Sequence, residues 1–131
     1  MNETSEKFAL VVDDEENIQE ILESYLVELG YSCVCCGDGD QAWKILHDNP
    51  KKFDLLITDV QMPNMDGLQL LEKINASPSI NPYRVLVTGG SRYKIDYHGA
   101  KKPYDTFVLK PFTIGDIKTA ISLVKASKNK G

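Results

Sequence analysis

The sequence predicts an α/β fold: a doubly wound, five-stranded parallel sheet with helices on both faces, formed as a single domain over residues 1–131 with its core at about 8–126. Three observations predict it. Short apolar runs alternate with amphipathic stretches along the chain, and strands that alternate with helices pair in parallel through crossover connections. The runs are continuously apolar, as expected of strands covered on both faces. At 131 residues, with 42% hydrophobic and 26% charged residues, the chain suits one ordinary domain with a full-sized core.

Phe8–Val12 is the first strand, and it ends abruptly in four acids, Asp13 to Glu16. Ile18, Ile21, Leu22, Tyr25, Leu26 and Leu29 follow at helical spacing, with Gly30 closing the helix in a left-handed cap. Tyr31–Cys36 is the second strand, Gly37-Asp38-Gly39 a loop, and Ala42, Trp43, Ile45 and Leu46 mark a helix that stops before Pro50. The third strand, Phe53–Thr58, delivers Asp59 to its end. Gln61–Gly67 then forms a turn, and a helix from near Gly67 carries Leu68, Leu71 and Ile74. Arg84–Thr88 and Thr106–Leu109 are the fourth and fifth strands, the latter running into Lys110-Pro111-Phe112. Thr113 with Asp116 makes a capping box for a last helix with Ile114, Ile117, Ile121 and Val124 on its apolar face.

Several function classes are disfavoured at once. No apolar run approaches the roughly 20 residues that cross a bilayer, and the polar, acidic start MNETSEK does not read as a secretion signal, so the expectation is a cytoplasmic protein with no membrane partner. A net charge of −4 argues against nucleic-acid binding by this domain. The charge is uneven: residues 1–30 hold nine acids against Lys7 alone, and residues 92–131 hold nine bases against three acids. Most of this reads as solvated helix surface. Cys33, Cys35 and Cys36 lie on one strand whose neighbours point to opposite faces and lack a fourth ligand nearby, so they read as small buried hydrophobes rather than a zinc site.

In a parallel sheet of this kind all strand-to-helix turns lie on one edge, where ligands bind. The residues at those turns are Asp13 and Asp14, Asp59, Thr88 and Lys110. Three carboxylates so placed repel one another and raise each other's pKa unless a cation joins them. Hard oxygen ligands favour Mg2+, which keeps water and phosphate in its shell. Lys110 and the Thr88 hydroxyl suit an anion. Together they point to phosphoryl chemistry in which Asp59 is the nucleophile and forms an acyl phosphate.

At these residues the chain resembles the receiver domain of two-component response regulators, over about residues 8–126 and in matching order. The resemblance rests on the paired acids Asp13-Asp14, the phosphoacceptor loop Asp59 to Gly67, the hydroxyl Thr88 and the pair Lys110-Pro111. It implies a flavodoxin-like strand order 2-1-3-4-5. It also implies that Asp59 accepts phosphate from a histidine kinase or phosphotransfer protein, and that Asp14, Asp13 and the Gln61 backbone carbonyl hold Mg2+ with Asp59. Lys110 and Thr88 would contact the phosphoryl oxygens, Phe107 would rotate inward with Thr88, and Pro111 would follow a cis bond. Gln61 and Gly90 occupy positions that tune phosphoryl lifetime in the family. The implied role is a stand-alone phosphoacceptor that switches its 88–112 surface and is not a turnover enzyme. Its output is a separate effector protein or an output domain outside this sequence.

Plainer readings stand beside these. Acids at a helix start favour the backbone dipole, the main reading for Glu15 and Glu16. Asp66-Gly67 reads as a turn, and Trp43 as helix–sheet packing. Phe107 reads equally as a buried core residue, since an inward ring serves both roles. One rival function is a phosphorylation-independent interaction module that retains the fold. An aspartate-nucleophile phosphatase would want an acid where Gln61 stands, and a flavin site would want a phosphate loop where the four acids stand. Residues 91–105 depart from the family: apolar positions are sparse, Gly99 comes early and Pro103 forbids continuation. A short or poorly held fourth helix is expected there, followed by a long loop, with Tyr93, Tyr97, His98 and Tyr104 as candidate partner contacts.

Overall fold

The computed structural model describes residues 6–89 and 102–129. Five strands, β1 (Lys7–Val12), β2 (Tyr31–Cys36), β3 (Leu55–Asp59), β4 (Tyr83–Thr88) and β5 (Thr106–Leu109), form one parallel sheet in the order β2-β1-β3-β4-β5. Among the described residues the helices are α1 (Glu16–Glu28), α2 (Gly39–Asp48), α3 (Gly67–Asn75) and α4 (Ile114–Asn129).

Strand alternation divides the core into two layers. Ala9, Val11, Leu55, Ile57, Val85 and Val87 face α1 and α4, packing on Leu22, Leu26, Ile117 and Ile121. Leu10, Val12, Leu56 and Leu86 face α2 and α3, packing on Leu46, Leu70, Leu71 and Ile74. Both faces of the central strands are fully buried, which is why their sequences show no polar alternation. Gly30 takes a φ of 100° beyond α1, as its place in the sequence predicts.

The starts of α2, α3 and α4 carry side-chain caps, and that of α1 has none. Asp38 accepts from the Gln41 N–H, and Asp66 and Gln69 form a complete capping box at α3. Asp66, read as a turn residue, therefore also starts a helix. At α4 the Thr113 N–H donates to Asp116 Oδ2 at 2.9 Å and the Asp116 N–H to Thr113 Oγ1 at 3.2 Å, the predicted box. Cys33 and Cys35 pack on the α1 layer and Cys36 on the opposite one. Partial burial of Cys33 and burial of Cys36 push both thiols up to about 12, which keeps them protonated.

The expected irregular fourth helix falls mostly on residues 90–101, outside the described residues, as do Tyr93, Tyr97, His98 and Gly90. Residues 102–105 bend into β5. Tyr104 corrects its reading as a surface contact: it is buried in the α2/α3 layer with Ile80 and Leu86.

Candidate functional site

The register of the sheet assembles the site. Val12 pairs with Thr58 and Thr88 with Leu109, so the residues that leave β1, β3, β4 and β5 emerge along one edge. They border an open crevice of about 530 Å³ lined by Asp14, Asp59, Gln61, Thr88 and Lys110, with Glu15, Val60 and Gly89. Asp13 lies beneath it and is fully buried. Carboxylate oxygens of Asp13, Asp14 and Asp59 lie within 4.8 Å of one another. Every strand-end residue singled out from the sequence is thus brought to one place.

Lys110 bridges the acids. Its Nζ is 3.3 Å from Asp13 Oδ2 and 3.4 Å from Asp59 Oδ2. Its backbone N–H donates to Thr88 O at 2.8 Å, and the Lys110–Pro111 bond is cis, as the resemblance implies. Asp59 Oδ1 accepts from the Val60 N–H at 2.8 Å, and Asp13 Oδ1 from the Glu15 N–H at 2.9 Å. The opposite oxygens of both acids are therefore the ones turned to Lys110. Thr88 Oγ1 is buried and has no hydrogen-bond partner among the described residues, which is uncommon for a buried hydroxyl.

Electrostatics set the character of the crevice. Burial raises the Asp59 carboxyl above its ordinary range, and the neighbouring Asp13 charge raises it further against the pull of Lys110. Asp13 is raised by burial as well, opposed by the Glu15 N–H and Lys110. Burial pulls Lys110 down, but Asp59 and Asp13 outweigh it and hold the ammonium charged. Asp13 and Asp59 share one ammonium and Asp14 lies beside them, so the edge keeps an excess of negative charge on hard oxygen atoms. That donor set fits a small divalent cation of the Mg2+ kind. Asp13, Asp14 and Asp59 are the residues placed to hold it, with the Gln61 loop alongside.

Phe107 is not a core residue. Its side chain is 49% exposed on edge strand β5 and meets Tyr104 edge-on with ring centroids 6.2 Å apart. The reading of Phe107 as a buried core residue is therefore not the arrangement seen. Its register partner Leu86 already fills the layer beneath, together with Tyr104.

The sequence reading passed over three residues around the site. Gln19 bonds the carbonyls of Asp13 and Cys36, and Asp38 accepts from Asn64 in the loop after Asp59. Only the Asp38 position carried a signal, an acid directly before a helix. The Gln19–Cys36 and Asn64–Asp38 bonds join segments distant in sequence.

A model of the response regulator receiver domain matches residues 9–122. The probable transcriptional regulator ycf27 of Guillardia theta is 32% identical over 128 residues, covering 98% of this chain and 48% of its own length. The two-component response regulator ARR12 of Arabidopsis thaliana is 33% identical over 125 residues, covering 93% of this chain and 21% of its own. The chain thus spans about half, or much less, of the curated relatives it matches. Among solved structures, response regulator TrrA of Thermotoga maritima in complex with Mg(2+)-BeF is 31% identical with a TM-score of 0.78, covering 90% of this chain and 98% of that one. TrrA in complex with the histidine kinase ThkA matches at 31% identity and a TM-score of 0.74, covering 90% and 97%.

Proposed function

The chain belongs to the family of response regulator receiver domains, and from that premise we propose that Asp59 is a phosphoacceptor whose phosphorylation drives a two-component signal. The observation that carries this reading is the convergence of Asp13, Asp14 and Asp59 at the carboxyl edge of the sheet, two of them, Asp13 and Asp59, paired with the one ammonium of Lys110. Three acids gathered so closely, one of them fully buried, repel one another, and that cost favours a functional reading.

Asp59 Oδ2 is the attacking atom. It forms a bond to phosphorus as the phosphorus–nitrogen bond of a phosphohistidine breaks and the electron pair returns to the imidazole. The Val60 N–H holds the other oxygen, Oδ1, and so orients the carboxylate. Mg2+ held by Asp13, Asp14, Asp59 and the Gln61 carbonyl would neutralise the charge developing on the phosphoryl oxygens. Lys110 moves from an internal pair with Asp59 to a phosphoryl oxygen, and Thr88 turns its unpartnered hydroxyl to another.

Thr88 and Phe107 then carry the switch. Phosphate favours the state in which the hydroxyl is engaged and the exposed Phe107 ring is drawn inward, which changes the 88–112 surface. A histidine kinase or phosphotransfer protein is the donor, a reading supported by the similarity to TrrA, which has been solved with the histidine kinase ThkA. Mg2+ as cofactor is supported by the Mg(2+)-BeF complex of the same relative. The reading is of a signalling domain, with an effector protein or an attached output domain as its target.

Incubation with Mg2+ and a small acyl phosphate, followed by intact mass, tests the reading. Wild type gains one phosphoryl group and Asp59→Asn gains none. No gain in wild type, or equal gain in both, overturns it.

A further inference from the structure

The Gln61 side of the crevice stands on the loop between Val60 and Asp66. At its neck the Gly67 N–H donates to Val60 O at 2.8 Å. Its tip is held from another part of the chain. Asn64 Nδ2 donates to Asp38 Oδ2 at 2.9 Å, and the Gly39 N–H donates to Met65 O at 3.0 Å. A carboxylate only accepts, so the direction of the Asn64 bond is unambiguous. Asn64 itself sits at a φ of 69°, a left-handed conformation that Asn and Asp tolerate better than other side chains.

The first acid loop is tied to the same corner. The Asp13 N–H donates to Cys36 O at 3.1 Å, and Gln19 Nε2 spans from Asp13 O at 2.7 Å to Cys36 O at 3.1 Å. Both loops that bring carboxylates or carbonyls to the crevice are thus moored to the exit of β2, which itself lines none of it. Asp38 does double duty there. Oδ1 caps α2 through the Gln41 N–H at 2.8 Å, which fixes the carboxylate, and Oδ2 holds Asn64 at 2.9 Å with a longer bond from Gln41 Nε2 at 3.4 Å.

We propose that Asp38 and Asn64 are positioning residues for the phosphoacceptor site. Their bond fixes the tip of the 60–66 loop and thereby the affinity of the crevice for Mg2+. The inference rests on the reading of that crevice as a Mg2+ site, since neither residue reaches it directly. Outer hydrogen bonds that orient ligand-bearing segments act on metal affinity rather than on chemistry. The two oxygens of Asp38 make the role separable from helix capping. Asp38→Asn keeps an acceptor for the Gln41 N–H but sets an amide nitrogen against those of Asn64 and the Gln41 side chain, the second loss being common to the single variant and the exchanged pair. Exchanging the pair, Asp38→Asn with Asn64→Asp, restores one donor and one acceptor with the net charge unchanged.

Titration calorimetry of the full chain with Mg2+ alone reads the effect. Asp38→Asn is expected to raise the dissociation constant about 3- to 10-fold, the range that one lost net hydrogen bond supports. The exchanged pair is expected to return to within about twofold of wild type. A general loss of folding would lower the binding stoichiometry and leave the constant unchanged, and Thr113→Ala, which is not among the residues lining the crevice, controls for lost stability. Wild-type affinity in Asp38→Asn, or an exchanged pair as weak as the single variant, overturns the proposal alone. A wild type that takes up no Mg2+ overturns it together with the phosphoacceptor reading.

Discussion

Asp13 and Asp59 are held against their own electrostatics. Burial raises both carboxyls, and the Asp13 charge raises Asp59 further. A carboxyl whose folded pKa lies above its ordinary 3.8 contributes stability that is present below that value and is withdrawn as pH rises through the folded one. At neutral pH without metal these acids therefore oppose folding. Lys110, raised by the acids, keeps its contribution throughout this range and loses it only above its ordinary 10.5. Asp59→Asn should accordingly raise the melting temperature at pH 7 without metal, by roughly 2–6 °C. Thermal unfolding followed between pH 7 and 4 should show the gain shrinking as the pH falls, and Mg2+ at pH 7 should shrink it too. Asp38 carries the opposite sign. The Gln41 N–H and the Asn64 amide hold its carboxyl below the ordinary range, so its contribution is present above 3.8 and lost as pH falls through the folded value. Asp38→Ala should lower stability at neutral pH and leave little difference from wild type under strongly acidic conditions.

At the scale of elements, close backbone approaches and caps shape the site more than propensity does. A Cβ on Gly67 would fall 2.0 Å from the Asp59 carbonyl oxygen, and one on Gly39 would fall 2.3 Å from that of Met65. Both obstacles are backbone, so neither can swing aside. Gly67→Ala should cost about 1–3 kcal/mol, the range for forcing extra volume into a packed site, as measured by urea unfolding. Thr113→Ala removes half of the α4 box and should cost about 1 kcal/mol, with Mg2+ binding untouched. Strand β5 is the element least committed to the core: it buries Val108 but leaves Phe107 and Leu109 49% and 52% exposed. An edge strand so exposed on one face is the element best able to change its outer side chains without dismantling the sheet.

For the molecule as a whole, stability resides in two apolar layers and function in one edge. Leu56 is fully buried at the centre of the sheet, and Leu56→Ala should cost about 2–5 kcal/mol. Val27, 57% exposed on α1, should tolerate the same change within about 0.5 kcal/mol. Denaturant midpoints of the two variants check the contrast. The five strands and the four described helices were legible because each answers to a local pattern: an apolar run, a helical stripe, a capping residue, a closing glycine. The crevice was legible for a different reason. A parallel sheet sends all its strand-to-helix turns to one edge, so Asp13, Asp14, Asp59, Thr88 and Lys110 become neighbours by topology alone. Three features were not legible: the outward turn of Phe107, the burial of Tyr104, and the mooring of both acid loops to the β2 exit. Tyr104 and Phe107 sit three residues apart, and which of two aromatics takes the space above Leu86 depends on its shape and not on either residue's hydrophobicity. The Asn64–Asp38 and Gln19–Cys36 bonds join residues 26 and 17 positions apart, with no periodicity to announce them. The sequence by itself determined the sheet, its layers and the chemistry gathered at its edge, because local patterning and parallel topology suffice for those. Only the tertiary structure decided which side chains fill the remaining space and which polar atoms meet across the loops, because packing and hydrogen bonding are settled between segments that local pattern does not relate.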